Sequence, residues 1–185
     1  MALQRVPEPG FIDVEITKMR RRHLRKVLAI ESRVYPRPWS ASLFLSELAQ
    51  RSTRSYIVAR NDGEVVGYAG MMFTGLEAHV TNIAVEPVWH GCKVGTRLLL
   101  SLVIEAIARG AETISLEVRV TNRAAQAMYE KFGFSVAGTR KGYYIETNED
   151  AFIMVADDVR STDYRLRLAR LRTEVGELAA EIVDE

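Results

Sequence analysis

The stretch from residue 79 to residue 110 passes without a gap from a strand pattern, through a turn with two glycines, into a helix pattern. Pro87 ends the strand because it has no N–H to donate, and Gly110 stops the helix. This order presents free backbone N–H groups to an anion, for which a diphosphate is the obvious candidate. A strand, a turn with two glycines and a helix more often form a plain connection than a phosphate site. The motif alone is therefore weak evidence for a diphosphate site, and support must come from the rest of the chain. The strand is indicated by Val80, Thr81, Ile83 and Val85, and the helix by Val94, Leu98, Leu99, Leu102, Val103, Ala106 and Ile107.

Composition narrows the class of protein. Of 185 residues, 48% are apolar and 26% charged, which is ordinary for one soluble globular domain. The net charge of +1 gives no reason to expect a nucleic-acid or membrane surface, and no apolar run approaches the ~20 residues that span a bilayer. The single cysteine, Cys92, excludes an internal disulfide and predicts a reducing cytoplasm. The histidines His23, His79 and His90 lack ligand spacing, so we expect no metal.

Taken in order, the patterns predict a mixed α/β domain over residues 1–160, with helices covering a central sheet. A strand at 12–16 is followed by a helix from about residue 20, and Ser40 caps a second helix. The remaining elements are strands at 55–60, 64–73 and 79–85, a helix from 94, a strand at 113–120, a helix after Asn122, and strands at 134–136 and 151–155.

Two segments stand apart from this order. A basic run between Lys18 and Lys26 is interpreted as a solvated helix face, with attraction of an acidic partner as the secondary interpretation. Residues 161–185 are predicted to form an amphipathic helical extension that packs on its own domain, pairs with a second copy or docks to a partner. Its seam residues are Tyr164, Leu168, Leu171, Val175, Leu178 and Ile182.

Several segments resemble the GNAT N-acetyltransferases, over roughly residues 12–157. Residues 82–87 (NIAVEP) and 95–99 (GTRLL) look like the acetyl-CoA-binding core of that family. The more specific segment 116–134 (LEVRVTNRAAQAMYEKFGF) resembles the RimI-type branch, which acetylates the N-terminal alanine of ribosomal protein S18. Residues 35–40 (YPRPWS), 140–144 (RKGYY) and 148–154 (NEDAFIM) extend the match.

The resemblance implies a mostly antiparallel sheet that is splayed where acetyl-CoA binds. The pantetheine arm is expected along Ile83, Ala84 and Val85, and the diphosphate over the turn formed by His90, Gly91, Cys92, Lys93, Val94, Gly95 and Thr96. Asn122 matches a family position that contacts the cofactor, and it is also a plain helix cap. The turn departs from the family pattern at two positions. His90 replaces a basic or amide residue, and Lys93 stands where a glycine is usual. These departures put the affinity for acetyl-CoA in doubt.

The resemblance also implies the chemistry. Glu117 matches the family's general base for a protonated amine, although without the family it reads as a surface glutamate. Tyr129 matches the general acid for the thiolate of CoA, or else is a packed helical tyrosine. The transfer is expected to be direct, in a ternary complex, and Cys92 as an acyl-carrying nucleophile is the weaker alternative.

The peptide substrate is expected between Tyr143, Tyr144 and the loop that carries Trp39. If residues 143 and 144 are extended, only one of the two rings faces the pocket. Trp39 either walls this pocket or anchors its loop on the core. The expected activity is therefore N-terminal protein acetylation, most simply of S18; the alternatives are a broader N-terminal, lysine or small-amine acetyltransferase, and a GNAT-shaped binding module without turnover.

Overall fold

The computed structural model describes residues 14–176 and shows one seven-stranded sheet with helices on both faces. The strands are β1 Glu15–Lys18, β2 Arg54–Asn61, β3 Glu64–Thr74, β4 Glu77–Val85, β5 Thr113–Arg119, β6 Ser135–Tyr144 and β7 Glu149–Ala156. The helices are α1 Leu24–Val34, α2 Ala41–Ala49, α3 Val94–Ala108, α4 Arg123–Lys131 and α5 Thr162–Val175. The predicted order of elements is confirmed. Ile12, Leu178 and Ile182 lie outside the described residues.

The sheet order is β1-β2-β3-β4-β5-β7-β6, and every neighbouring pair is antiparallel except β4 with β5. The mixed, mostly antiparallel sheet of the sequence-based prediction is therefore confirmed. The boundaries differ most at β6, which does not end at residue 136 but continues to Tyr144, and β1 ends at Lys18 instead of residue 16. Within residues 14–176, no helix has the length and apolar content that a membrane crossing requires.

Alternating side chains of β2 divide the core into two clusters. Ile57 and Ala59 face the side covered by α3, whereas Tyr56 and Val58 face the side covered by α1 and α2. This follows from the period of two along a strand.

The amphipathic helix α5 packs on its own domain. Its buried side chains belong to the same cluster as the apolar side of α3, which accounts for their spacing of four and three. They are Tyr164, Leu168, Leu171 and Val175.

The loop between α1 and α2 is held by a buried carboxyl group. Glu31 is 1% exposed, and its Oε1 accepts a hydrogen bond from the backbone N–H of Trp39 at 2.9 Å. Its Oε2 is buried without a hydrogen-bond partner in the described part of the chain. Burial raises the pKa of this carboxyl to about 6, and the Trp39 hydrogen bond opposes that rise.

We expect the Glu31→Gln variant to become progressively more stable, relative to the parent protein, between pH 4.5 and 7. A folded-state pKa above the unfolded value means that ionisation is disfavoured in the folded protein, so stability present at low pH is lost as the pH rises. A pKa of about 6 against 4.5 corresponds to a relative gain of about 2 kcal/mol once both states are ionised. Urea denaturation at several pH values measures this difference.

The Glu31→Ala variant is the control, because it removes the acceptor for Trp39 as well as the charge. It is expected to destabilise the loop at low pH, where the parent carboxyl is neutral. A Glu31→Gln difference that stays constant with pH would contradict the assignment.

Candidate active site

The cleft begins where the parallel pair β4–β5 comes apart. These strands are paired only over Glu77–Thr113, Ala78–Ile114 and His79–Ser115. Beyond that point, β4 continues to Val85 and β5 to Arg119 without pairing to each other. A register shift in the β3–β4 ladder leaves Thr81 as an extra residue on β4, and such a bulge increases local bending and twist. The expected splay of the sheet is thus present.

Backbone groups of β4 line this gap in an alternating pattern. The Glu86 N–H donates to the Val66 carbonyl at 2.8 Å, which fixes the even-numbered residues of this part of β4 as those bonded to β3. The N–H and C=O groups of Ile83 and Val85 therefore point toward the side that β5 has left. Both carbonyl oxygens are already engaged, because Ile83 accepts from the Tyr35 hydroxyl at 2.8 Å and Val85 lies 3.0 Å from His90 Nε2.

Glu117 lies on β5 beside the opening. Its side chain is 9% exposed, and its Oε2 is 2.9 Å from Nε2 of His79. His79 Nδ1 lies 2.9 Å from the Ser115 hydroxyl, so the neutral tautomer that satisfies both contacts donates from Nε2 to Glu117 and accepts at Nδ1. The second carboxylate oxygen is 3.3 Å from Nη2 of Arg140. The hydrogen bond from His79 is the main cause that lowers the pKa of Glu117, aided by the charge of Arg140.

Three tyrosines lie close enough to interact electrostatically. Tyr129 is 4% exposed, and burial together with nearby Tyr144 raises its pKa. Burial also raises the pKa of Tyr35, with smaller contributions from Tyr129, Glu31 and Tyr144. Each phenol therefore keeps its proton through the neutral pH range and can act as a hydrogen-bond or proton donor.

The tyrosine pair at the end of β6 is not regularly extended. The β6–β7 register shifts between Arg140 and Tyr144, and Gly142 has a φ of +59°. The alternation expected for an extended segment therefore does not apply, and the rings of Tyr143 and Tyr144 meet edge to face with centroids 5.1 Å apart. Burial comes first in raising the pKa of both phenols, to about 12 for Tyr144, and Glu117 contributes to each rise.

Arg119 anchors this segment to β5. Its guanidinium carbon lies 3.8 Å from the centroid of the Tyr144 ring. Its nitrogens pair with Glu146 at 2.8 Å and with Glu149 at 3.1 Å. A cation stacked on the ring and paired on its outer side holds Tyr144 at the cleft.

The turn before α3 has the backbone needed for an anion site. Gly91 has a φ of +81°, and a Cβ added there would meet nothing within 4 Å. Lys93, the N-cap of α3, also has a positive φ of +59°, which is the strained conformation that its replacement of a glycine implied. Gly95 and Thr96 form the first turn of α3, whereas Val94 points into the core.

The side chains of this turn are engaged elsewhere. Lys93 Nζ donates to the Glu174 carbonyl at 3.1 Å and lies 3.3 Å from the Glu174 carboxylate, so its ammonium is directed to α5. Glu174 also pairs with Lys131 at 3.1 Å. The Cys92 thiol is directed to the His90 carbonyl at 3.9 Å. The turn therefore offers an anion mainly backbone N–H groups and the helix dipole.

Two other candidate residues have clear structural positions. Asn122 caps α4, since its side-chain oxygen accepts from the Ala125 N–H at 3.1 Å. Trp39 packs on Phe44 with ring centroids 5.3 Å apart, which is the contact expected of a loop anchor. Whether Trp39 also walls a pocket, and whether Asn122 also contacts a cofactor, stay predictions.

The structure thus brings Glu117, Tyr129, Tyr143 and Tyr144 to the cleft where β4 is unpaired. It adds residues that sequence reasoning missed as parts of the site: His79, Tyr35, Arg140 and Arg119. The sequence-level signal for His79 was its place on the strand that opens the central motif, but its contact with Glu117 depends on the parallel register of β4 and β5. In residues 14–176, no three His, Cys, Asp or Glu side chains are grouped so that they could hold a metal ion.

A splayed parallel pair, a glycine turn leading into a helix N-terminus and a glutamate beside the gap are the arrangement expected of an acyl-CoA-dependent N-acetyltransferase. The Acetyltransferase (GNAT) family model matches residues 24–134, and the chain belongs to that family.

Named relatives are similar over most of the chain. The [ribosomal protein bS18]-alanine N-acetyltransferase of Escherichia coli (strain K12) is 38% identical over 127 residues, or 68% of this chain and 84% of the relative. The N-alpha-acetyltransferase RimI of Mycobacterium tuberculosis (strain ATCC 25618 / H37Rv) is 40% identical over 124 residues, or 65% of this chain and 76% of the relative. The crystal structure of the ribosomal-protein-S18-alanine N-acetyltransferase from Escherichia coli matches with a TM-score of 0.72 and 33% identity, over 79% of this chain and 94% of that one.

We expect the His79→Ala variant to shift the pKa of Glu117 upward and to lower kcat by ~10- to 100-fold, because the carboxylate loses the donor that orients it. The His79→Gln variant keeps an N–H donor. Its Glu117 pKa should therefore be lower than in the His79→Ala variant, and its kcat higher. A ¹³C NMR titration of the Glu117 carboxyl and the pH dependence of kcat/KM measure the two effects. If the two variants give the same carboxyl pKa as the parent, His79 does not hold Glu117.

Proposed function

We propose that the protein transfers the acetyl group of acetyl-CoA to the α-amine of an N-terminal alanine, and that ribosomal protein S18 is its substrate. The observation that carries this proposal is the Glu117 carboxyl group at the gap between β4 and β5, in contact with His79 and Arg140, which lower its pKa. The substrate is inferred from relatives whose names state bS18-alanine N-acetyltransferase activity.

A carboxylate at this position addresses the main chemical obstacle. An α-amine has a pKa of ~7.7–8.0, so much of it is protonated and non-nucleophilic near neutrality. Glu117, whose pKa is lowered by His79 and Arg140, is ionised there and accepts the proton directly or through a water molecule. A lysine side chain, with a pKa of ~10.4, is a harder substrate for the same base.

Tyr129 suits the opposite role. Its pKa is raised, so it is protonated when the thiolate leaves and can donate to the sulfur. The transfer is direct: Glu117 takes one proton from the ammonium group, and the neutral amine nitrogen then bonds to the acetyl carbon while the C–S bond breaks. Tyr129 protonates the leaving thiolate, and the second proton that the nitrogen loses on becoming an amide restores the Tyr129 phenol. The proton on Glu117 is released to solvent. Cys92 is not required, and its thiol faces the His90 carbonyl.

The backbone of the cleft supports the proposal that acetyl-CoA binds there. The N–H groups of Ile83 and Val85 face the gap, where they would bind the pantetheine amides and polarise the thioester oxygen, with Ala84 between them bonded to β3. The turn from His90 to Thr96 would bind the diphosphate, and Asn122 at the cap of α4 would complete the site.

The peptide side of the cleft is assigned to Tyr143, Tyr144 and the Trp39 loop. The apolar face of α5 is buried in the chain's own core, so no observation favours a partner-docking module over an enzyme. We further propose that the protein acts in the cytoplasm without a metal, and that residues 161–185 extend the 1–160 catalytic domain.

We expect mass spectrometry to detect one acetyl group on a peptide with a free N-terminal alanine, and none on a peptide blocked at its α-amine that carries a lysine. Glu117→Gln should lower kcat by ~10²- to 10⁴-fold, because it removes the general base while preserving the side-chain shape. Glu77→Gln, an exposed glutamate of β4, is the matched control and should keep the parent rate.

Binding of acetyl-CoA by Glu117→Gln, measured calorimetrically, distinguishes a lost base from a lost fold. Acetylation of the lysine peptide instead would mean that the substrate is a lysine side chain and not an N-terminal α-amine. Acetyl-CoA binding without turnover on either peptide would contradict the proposal of N-terminal transfer.

A further inference from the structure

A second cavity, of 860 Å³, lies away from the acetyl-transfer cleft and has a strongly basic lining. It is bounded by the connection from β1 to α1, the C-terminal end of α2, the start of β2 and the C-terminal end of α3. Lys18 and six arginines line it, against the carboxylates of Glu47 and Glu105. A volume of this size is within the ~300–1,000 Å³ range of ligand sites.

The two carboxylates are already neutralised within the wall. Glu47 Oε2 accepts from Arg54 Nε at 2.8 Å and from the Tyr56 hydroxyl at 2.9 Å. Glu105 pairs with Arg109 at 2.6 Å and accepts from the Ser55 hydroxyl at 2.6 Å. The Glu47–Arg54 pair joins the end of α2 to the sheet, and the Glu105–Arg109 pair lies at the last turn of α3. These two carboxylates therefore fix the wall of the cavity and do not neutralise its other basic side chains.

The remaining cations surround these two pairs. Arg20, Arg21 and Arg22 follow β1 in sequence, and Arg51 lies just beyond α2. Among residues 14–176, neither Arg21 nor Arg51 has a carboxylate within ion-pair distance, and both side chains are exposed to solvent at the cavity. Among the described residues that line the cavity, seven side chains are basic and two are acidic, a local imbalance that the net charge of +1 does not reveal.

We infer that this cavity binds phosphate groups, carried either by an RNA strand or by a free nucleotide. Arginine outnumbers lysine here by six to one, and its planar fork pairs with phosphate oxygens through two hydrogen bonds. The guanidinium plane also stacks on bases, and the apolar side chains of Met19, Leu45 and Leu48 in the wall suit the faces of a base or ribose. Carboxylates also pair with the guanidinium fork, so the apolar part of the wall is what favours a nucleotide over an acidic peptide.

The test is binding of a short, fluorescently labelled single-stranded RNA, measured by anisotropy at several salt concentrations with acetyl-CoA saturating. Saturation fills the diphosphate turn, so the probe reports on the second site. We expect the Arg21→Ala/Arg51→Ala double variant to bind at least ~10-fold more weakly. Its plot of log affinity against log salt should lose ~1.4 of slope, because each phosphate contact on a single strand contributes ~0.7.

The matched control is Arg165→Ala/Arg172→Ala, which removes the same charge from exposed positions of α5. It should keep the parent affinity within ~2-fold, since long-range charge is screened at physiological salt. Equal loss in the two double variants would overturn the inference, because binding would then follow net charge and not the cavity.

Competitors identify the chemical class. Displacement of the RNA by ATP, or ATP binding that is lost in the Arg21→Ala/Arg51→Ala variant when RNA does not bind, supports phosphate recognition and names the free nucleotide as its source. Displacement by a polyglutamate peptide as strong as by RNA would contradict it, as would no binding of either phosphate probe. Acetylation of the alanine peptide by the same variant should be unchanged, which separates this result from the proposed function.

Discussion

The separation of β4 from β5 after three paired positions is the constraint on which the rest of the site depends. In a continuous ladder, the backbone N–H groups of Ile83 and Val85 would be hydrogen-bonded to β5. The side chains of β5 would then lie directly beside those of β4. The bulge at Thr81 bends β4 away, while antiparallel pairing with β7 keeps β5 in the sheet on its other side. One strand is left with unpaired groups, and the other with a glutamate at the opening.

The polar partners around Glu117 determine what this opening can do. His79 sits at the last paired position of β4, so the same register that ends the ladder brings its ring to the carboxylate. The other chemical requirement is a proton donor for the leaving thiolate. The phenols of Tyr35, Tyr129 and Tyr144 are protonated, because burial raises their pKa values. The proposed acid and base functions would thus be separated by environment within one cleft.

Local patterns predicted the elements well, because alternation and helical spacing record which face each segment buries. They also indicated the turn at Lys93 and the cap at Asn122, both of which depend on neighbouring residues. The contact of His79 with Glu117 could not be predicted in this way, since it depends on the register of two strands whose paired residues, such as His79 and Ser115, are 36 positions apart in the sequence. The assignments of Glu117 and Tyr129 rested on family resemblance, as an alternating strand alone does not distinguish a base from a surface glutamate.

Hydrogen exchange at individual amides tests the central claim most directly. Without cofactor, the N–H groups of Ile83 and Val85 should exchange rapidly, whereas those of Asn82 and Ala84, bonded to β3, should be protected. Saturating acetyl-CoA should slow exchange at residues 83 and 85 and leave 82 and 84 unchanged. Slow exchange at 83 and 85 in the free protein, or no change on acetyl-CoA binding, would contradict a cofactor site built from the unpaired stretch of β4.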